Sequence, residues 1–216
     1  MALDRDTVLR AALAVVDSEG VEALSMRRLA ADLAVTPMAI YNHVRGRAEL
    51  LDGVADLVAR RIETPSPRWG WRRRLKALLL STRRVCLAHP AAVTLLQDTR
   101  ALTPALLAPT EAALEALDEA GLRSDRAQAA WAALISLTFG HVTYQLAGHM
   151  GGQSTGTGSF DAAELPRIAA MTGPPFDWDR AFERALDALI DGLVTQAVSA
   201  PARRAQAAAT TRRRPR

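Results

Sequence analysis

Cysteine is almost absent: Cys86 is the single one in 216 residues. One thiol excludes an intramolecular disulfide and any thiolate zinc cluster. Long apolar runs are missing too. The hydrophobic fraction is 49%, enough for a sizeable core, but no run reaches the ~18 residues a membrane span needs. The start, Met1-Ala2-Leu3-Asp4-Arg5-Asp6, is polar and acidic, unlike a secretory signal, so a cytoplasmic chain without membrane contact is expected. The four histidines, His43, His89, His141 and His149, show no HExxH or other ligand spacing, so no metal site is expected. No GxGxxG, Walker loop or nucleophile elbow appears, and neither a cofactor nor catalysis is expected.

What is present is charge, unevenly placed. The net charge is +4. Residues 203–216 hold six arginines and no acid, leaving 21 basic and 23 acidic side chains in 1–202. Residues 64–87 hold seven basic residues and no acid, whereas 88–202 hold six basic and thirteen acidic. The surplus therefore says little by itself; the position of each cation decides its meaning.

The pattern is helical throughout. Alanine and leucine abound, apolar residues recur at spacings of three and four, and no segment alternates as a strand would. The first 63 residues are closely punctuated. Asp4 can cap a first helix, Gly20 can end it, and Val8, Ala12, Val15 and Val16 form its apolar face. Ser25 caps a second helix, and Thr36 caps a third with Pro37 at its first position. Only Ala34 and Val35 separate the second helix from the cap of the third. A fourth helix begins near Gly46, with Glu49 in its first turn, and runs to about residue 62. Pro65 and Pro67 then break the chain.

Two helices joined by so short a turn must cross steeply, which is helix-turn-helix geometry over about 25–44. The third helix then points Ile40 and Val44 inward and Met38, Ala39, Tyr41, Asn42 and His43 outward. An exposed face of small and polar groups can enter the ~12 Å major groove. Ala39 permits close approach, Tyr41 and His43 can bond phosphate or base edges, and Thr36 with the first amides of the helix suits a phosphate oxygen. Arg27 and Arg28 open the second helix, and Arg45 and Arg47 follow the third, bracketing it where phosphates would lie. The alternative is a three-helix bundle with no ligand and solvated arginines.

The remainder, 68–198, reads as one larger helical domain with helices near 69–88, 90–97, 110–119, 125–146, 166–171 and 179–198. Pro104 and Pro109 leave 99–110 open between a kinked helix and a turn. Residues 148–159, rich in Gly, Ser and Thr, read as a flexible loop. Residues 200–216 lack an apolar face and read as a disordered Arg-rich tail, able to add sequence-independent DNA affinity by counterion release or to be inert.

The first 63 residues resemble the tetracycline-repressor (TetR) family of bacterial regulators. The resemblance lies in Leu24-Ser-Met-Arg-Arg-Leu-Ala-Ala-Asp-Leu33, Val35-Thr-Pro-Met-Ala-Ile-Tyr-Asn-His-Val44 and Leu50-Leu51-Asp52. It implies an all-α fold, a three-helix DNA-binding domain followed by a helical bundle that senses a ligand and dimerises. It also implies a DNA-contacting set of Ser25, Arg27, Arg28, Thr36, Pro37, Met38, Ala39, Tyr41, Asn42, His43 and Arg47. Tyr41 and His43 match the Tyr-x-His of the family's reading helix, Arg27 a base- or phosphate-contacting residue, and Arg47 a phosphate-binding one. Ala34 departs from the pattern, because a turn glycine is common there. If the site needs positive φ, Ala34 stores strain of order 1 kcal/mol.

Farther on, Phe182-x3-Leu186-Asp187-x-Leu189-Ile190-Asp191-Gly192-Leu193 resembles the family's last helix, which in relatives joins its neighbour in a four-helix dimer interface. The expected interface is Ala133, Leu137, Gly140, Tyr144, Leu186, Leu189 and Leu193. Packing within one subunit is the alternative. Trp131, Leu134, Thr138, His141 and Gln145 form one stripe of the 125–146 helix and are the candidate effector wall, with a plain core stripe as the alternative. The magnesium-binding His and Glu of tetracycline sensors are not recoverable: the matched positions are Leu95 or Leu96 and Tyr144. The implied effector is therefore a small, largely apolar molecule other than tetracycline–magnesium.

The expected function is a homodimeric repressor on a palindromic double-stranded operator, released when an effector favours a conformer with mis-spaced third helices. The helix at 47–62 would carry that movement. A regulator of the same fold without a small-molecule effector is the alternative, and a helical enzyme using His141 or Cys86 a distant one. Arg72, Arg73, Arg74 and Lys76 read as solvated surface, Trp69 and Trp71 as packing anchors, and Cys86 as a core residue or a redox sensor.

Overall fold

The computed structural model describes residues 3–98, 103–148, 163–171 and 176–212. Most of the expected loop at 148–159 lies outside them, as does His149. The described chain is helical, with no strand among the described residues. It divides into two compact units, Met1–Ala116 and Leu117–Arg216.

The first unit opens with α1 (Arg5–Glu19). Asp4 caps it by accepting from the Thr7 amide at 2.7 Å, and Gly20, at φ 87°, ends it. That hydrogen bond holds the Asp4 carboxyl below its ordinary range. A short 3-10 turn (Val21–Ala23) leads into α2 (Met26–Asp32) and α3 (Pro37–Tyr41). α4 (Arg47–Ala59) follows. Glu49 in its first turn accepts from the Arg45 amide at 2.9 Å, which fixes the entry to the helix. α4 crosses α1 at Gly53, where an added Cβ would come within 2.5 Å of a Leu9 methyl. A larger residue there would force the buried Leu9 side chain to move.

α5 (Trp71–Ala88) and α6 (Ala92–Asp98) come next. The expected boundary at 64–67 is not where the compact units divide. Val85, Ala92 and Leu95 join the same apolar core as Val8, Leu29, Ile40 and Val54, so burial ties α6 to α1 and α4 across the proline-bearing segment. Three side chains also meet there: His89 Nδ1 lies 2.8 Å from Asp17 Oδ2, and Arg61 contacts its Nε2. Cys86 is fully buried, and loss of solvation pushes its thiol up to about 12. It is a core residue with no thiolate at neutral pH.

The stretch left open at 99–110 proves helical from Pro104: α7 spans Pro104–Glu119 with Pro109 inside. Proline is tolerated in the first turns and costs one intrahelical bond farther in. Here Pro109 denies the Ala105 carbonyl its donor, and Thr103 bonds both the Leu106 amide and the buried Asp56.

The second unit pairs α8 (Asp125–Leu146) with α10 (Trp178–Arg212), and holds the short α9 (Pro166–Met171). Ala130, Leu134, Thr138 and Val142 of α8 are buried, as are Phe182, Leu186 and Ile190 of α10. α10 continues to Arg212, through the stretch expected to be a disordered tail from 200. Alanine and arginine are among the strongest helix formers, and residues 202–209 are built almost entirely of them.

Candidate nucleic-acid interface

The site is built by caps. Ser25 Oγ accepts from the Arg28 amide at 3.2 Å and starts α2. At the far end of α2 the Val35 amide bonds the Ala30 carbonyl at 2.9 Å and the Ala34 amide bonds the Ala31 carbonyl at 3.2 Å. This is a Schellman closure, and it places Ala34 at φ 52°. An L-residue there costs about 1 kcal/mol. Thr36 Oγ1 accepts from the Ala39 amide at 3.3 Å and starts α3, with Pro37 at its first position. The whole turn is thus closed by backbone bonds and two hydroxyl caps.

α3 has five residues, fewer than the 36–44 rod expected, but the coil continues as a turn: the Asn42 amide bonds the Met38 carbonyl and the Val44 amide the Ile40 carbonyl. Ile40 and Val44 are buried at 0% and 1% exposure, while Met38 is 70% and Tyr41 47% exposed. Thr36, Pro37 and Asn42 are exposed, and Ala39 and His43 are half-buried. Ile40 and Val44 point inward and Met38, Tyr41 and Asn42 outward as the spacing predicts, whereas Ala39 and His43, expected outward, are half-buried. Arg27 and Ser25 on α2 lie outside the core as well.

Two of the cations expected beside phosphates have partners within the protein. Arg28 donates through Nη1 and Nη2 to both Glu19 oxygens at 2.9 and 2.7 Å, and through Nε to Asp32 at 2.9 and 3.0 Å. Its charge is matched on the protein, which raises its own pKa and holds the Glu19 carboxyl below its ordinary range. Arg47 donates Nη2 to the Val21 carbonyl at 3.0 Å and Nε to the Leu24 carbonyl at 3.3 Å, with Glu22 3.8 Å away. The Arg28–Asp32 pair is legible as an i, i+4 spacing. Glu19 and the two carbonyls are not, because they become neighbours only after α1 and α2 fold together.

In the second unit the candidate effector stripe divides. Leu134 and Thr138 have no accessible surface, and Thr138 Oγ1 donates to the Leu134 carbonyl at 2.9 Å. They are core, not pocket wall. Trp131, His141 and Gln145 are half-buried. The His141 ring stands edge-on to Trp178 at 5.1 Å and Phe182 at 5.0 Å. Of the candidate dimer residues, Leu186 is wholly buried inside the chain and unavailable to a partner, because i, i+4 spacing with Phe182 and Ile190 turns it toward the core. Ala133, Leu137, Leu189 and Leu193 are half-buried, and Gly140 and Tyr144 exposed.

Residues 8–54 match the bacterial regulatory proteins of the tetR family, and residues 64–197 match the tetracyclin repressor-like C-terminal domain, which is more than half of the chain. The chain belongs to the TetR family. This TetR-family regulator is 32% identical over 203 residues to the class C tetracycline repressor protein of Escherichia coli, covering 88% of this chain and 90% of that one. It is 37% identical over 122 residues to the HTH-type transcriptional repressor DrrR1 of Streptomyces coeruleorubidus, covering 56% of this chain and 45% of that one. Its fold is similar to apo ActR of Streptomyces coelicolor, with TM-score 0.74, 32% identity and coverage of 93% and 99%. It is similar also to ActR in complex with actinorhodin, with TM-score 0.73, 32% identity and coverage of 90% and 97%. The TetR-family chain is thus a DNA-binding transcription regulator and not an enzyme, and no described helix is long and apolar enough to cross a membrane.

Proposed function

We propose that this chain is a cytoplasmic, homodimeric repressor that a small, largely apolar effector releases from a palindromic operator. The observation that carries the reading is the split of the third-helix segment. Ile40 and Val44 anchor it in the core, and Met38, Tyr41 and Asn42 stand on the other side. Residues 1–63 read the DNA. Tyr41, His43 and Asn42 meet base edges or phosphates, Met38 and Ala39 offer apolar contact to thymine methyls, and Ser25, Arg27, Thr36 and Pro37 lie along the backbone.

Residues 68–198 dimerise and sense the effector. Exposed Gly140 and Tyr144, with half-buried Ala133 and Leu137 of α8 and Leu189 and Leu193 of α10, form a face whose small residues permit close helix approach. Symmetry then sets two third helices about 34–36 Å apart, one turn of duplex. Trp131, His141 and Gln145 form the effector wall, and ActR, solved with actinorhodin, supports a ligand-responsive domain of this kind. An effector with higher affinity for a mis-spaced conformer shifts the population and lowers operator affinity by its differential binding.

The test is binding of operator DNA, selected from genomic fragments with the full-length protein, followed by fluorescence anisotropy. Tyr41→Ala is expected to weaken binding at least about tenfold, the scale of one or two good contacts, with the dimer and its melting temperature unchanged. Unaltered affinity would remove Tyr41 from the reading face. His141→Ala is expected to change effector response more than DNA affinity.

A further inference from the structure

We propose that Arg28 and Arg47 act as positioning residues of the reading head and release no DNA counterions of their own. This rests on the DNA-binding reading above. Composition alone would count both as phosphate ligands, since they flank the third helix. Geometry engages Nε, Nη1 and Nη2 of Arg28 and Nε and Nη2 of Arg47 within the protein. Arg28 is a fork on two sides, gripping both oxygens of Glu19 at the end of α1 and both oxygens of Asp32 at the end of α2. It therefore sets the angle between these two helices, and it does so directly before the turn that launches α3. Arg47 reaches back from the first residue of α4 to the Val21 and Leu24 carbonyls. It closes the 3-10 turn just ahead of the Ser25 cap. The two arginines hold the two ends of one loop-and-helix segment.

Electrostatics points the same way. Glu19, Glu22 and Asp32 are carboxylates in the very domain that must approach a polyanion. Each lies within 3.8 Å of one of these guanidinium groups. Arg28 and Arg47 offset two of those three charges, so a phosphate would compete with Glu19 and Asp32 for Arg28, and with the Val21 and Leu24 carbonyls for Arg47. Arg27, one residue before Arg28 and outside the core, is the cation of α2 placed to meet the backbone.

The experiment is the salt dependence of binding, because removing one phosphate contact lowers the slope of log K against log salt by about one. Full-length wild type must first show sequence-selective binding to the DNA it selects; failure there sinks the DNA-binding reading and not this assignment alone. Charge-balanced pairs then keep the long-range field constant: Arg28→Gln with Glu19→Gln, and Arg47→Gln with Glu22→Gln. The expected result is a wild-type slope with affinity reduced about three- to thirtyfold, whereas Arg27→Gln lowers the slope by about one per protomer. A slope in either pair falling as far as that of Arg27→Gln would overturn the assignment. Arg28→Lys and Arg47→Lys supply the second readout. Lysine keeps the charge but lacks the fork, so a positioning role predicts loss of affinity at constant slope. Wild-type affinity in both lysine variants would overturn it.

Discussion

α3 and α8 are held in place by different means. α3 is five residues long and owes its existence to point devices: a hydroxyl cap at Thr36, a proline at its first position, a Schellman closure behind it, and Ile40 beneath it. α8 is 22 residues long and Ser124 gives it no side-chain cap. It is secured by a row of buried residues along α10. A helix of one and a half turns is far below the length that is stable by propagation, so each device at α3 is individually necessary. In α8 the holding energy is spread over many contacts. The reading surface should therefore fail through single local changes, and the sensing unit through loss of volume.

The largest test of that contrast is a matched pair. Ile40→Ala and Leu134→Ala each delete a fully buried side chain, and each is expected to lower unfolding free energy by about 2–5 kcal/mol in chemical denaturation. Only Ile40→Ala should also abolish operator binding under conditions where the variant is still folded. Equal retention of DNA binding in the two would break the contrast. Next in size, Thr36→Ala removes the α3 cap and should cost about 1 kcal/mol, with a larger proportional loss of DNA affinity than of stability. Ala34→Gly should act in the opposite sense. It relieves the positive φ at a slight entropic cost, raising stability by up to ~1 kcal/mol and the melting temperature by about 2–4 °C. A fall in melting temperature would remove the strain account.

The smallest effect is acid sensitivity. The Arg28 fork holds the folded Glu19 carboxyl below its unfolded value. Its contribution is therefore fully present above the ordinary carboxylate range and is lost as pH falls through the lowered folded value. Arg28→Gln should flatten that part of the stability–pH curve. An unchanged curve would show that the exposed pair contributes nothing measurable.

The same contrast explains what the sequence makes legible. Asp4, Ser25 and Thr36 cap because a short oxygen lies three residues before an otherwise unpaired amide, and that signal is wholly local. So is the inward turn of Ile40 and Val44. The bounds of α8, Asp125–Leu146, follow from its periodicity just as directly. Periodicity cannot say what a face meets, however. Leu134, Thr138 and Leu186 carry the same spacing as a pocket wall or an interface and are core. The partners of Arg28 and Arg47 stay hidden because Glu19 and the Val21 carbonyl come near only in the folded unit. The helix at Pro104 escapes a reading in which two prolines outweigh the helix propensity around them, and the run to Arg212 escapes one in which the lack of an apolar face outweighs the propensity of alanine and arginine.

The burial of Cys86 has a practical side. Its thiol is closed to water and un-ionised at neutral pH, so a maleimide dye finds no nucleophile on the native protein. A cysteine placed at exposed Met38 would then accept the fluorophore alone, and its emission would report each encounter of the third helix with duplex without stripping the chain of its natural thiol.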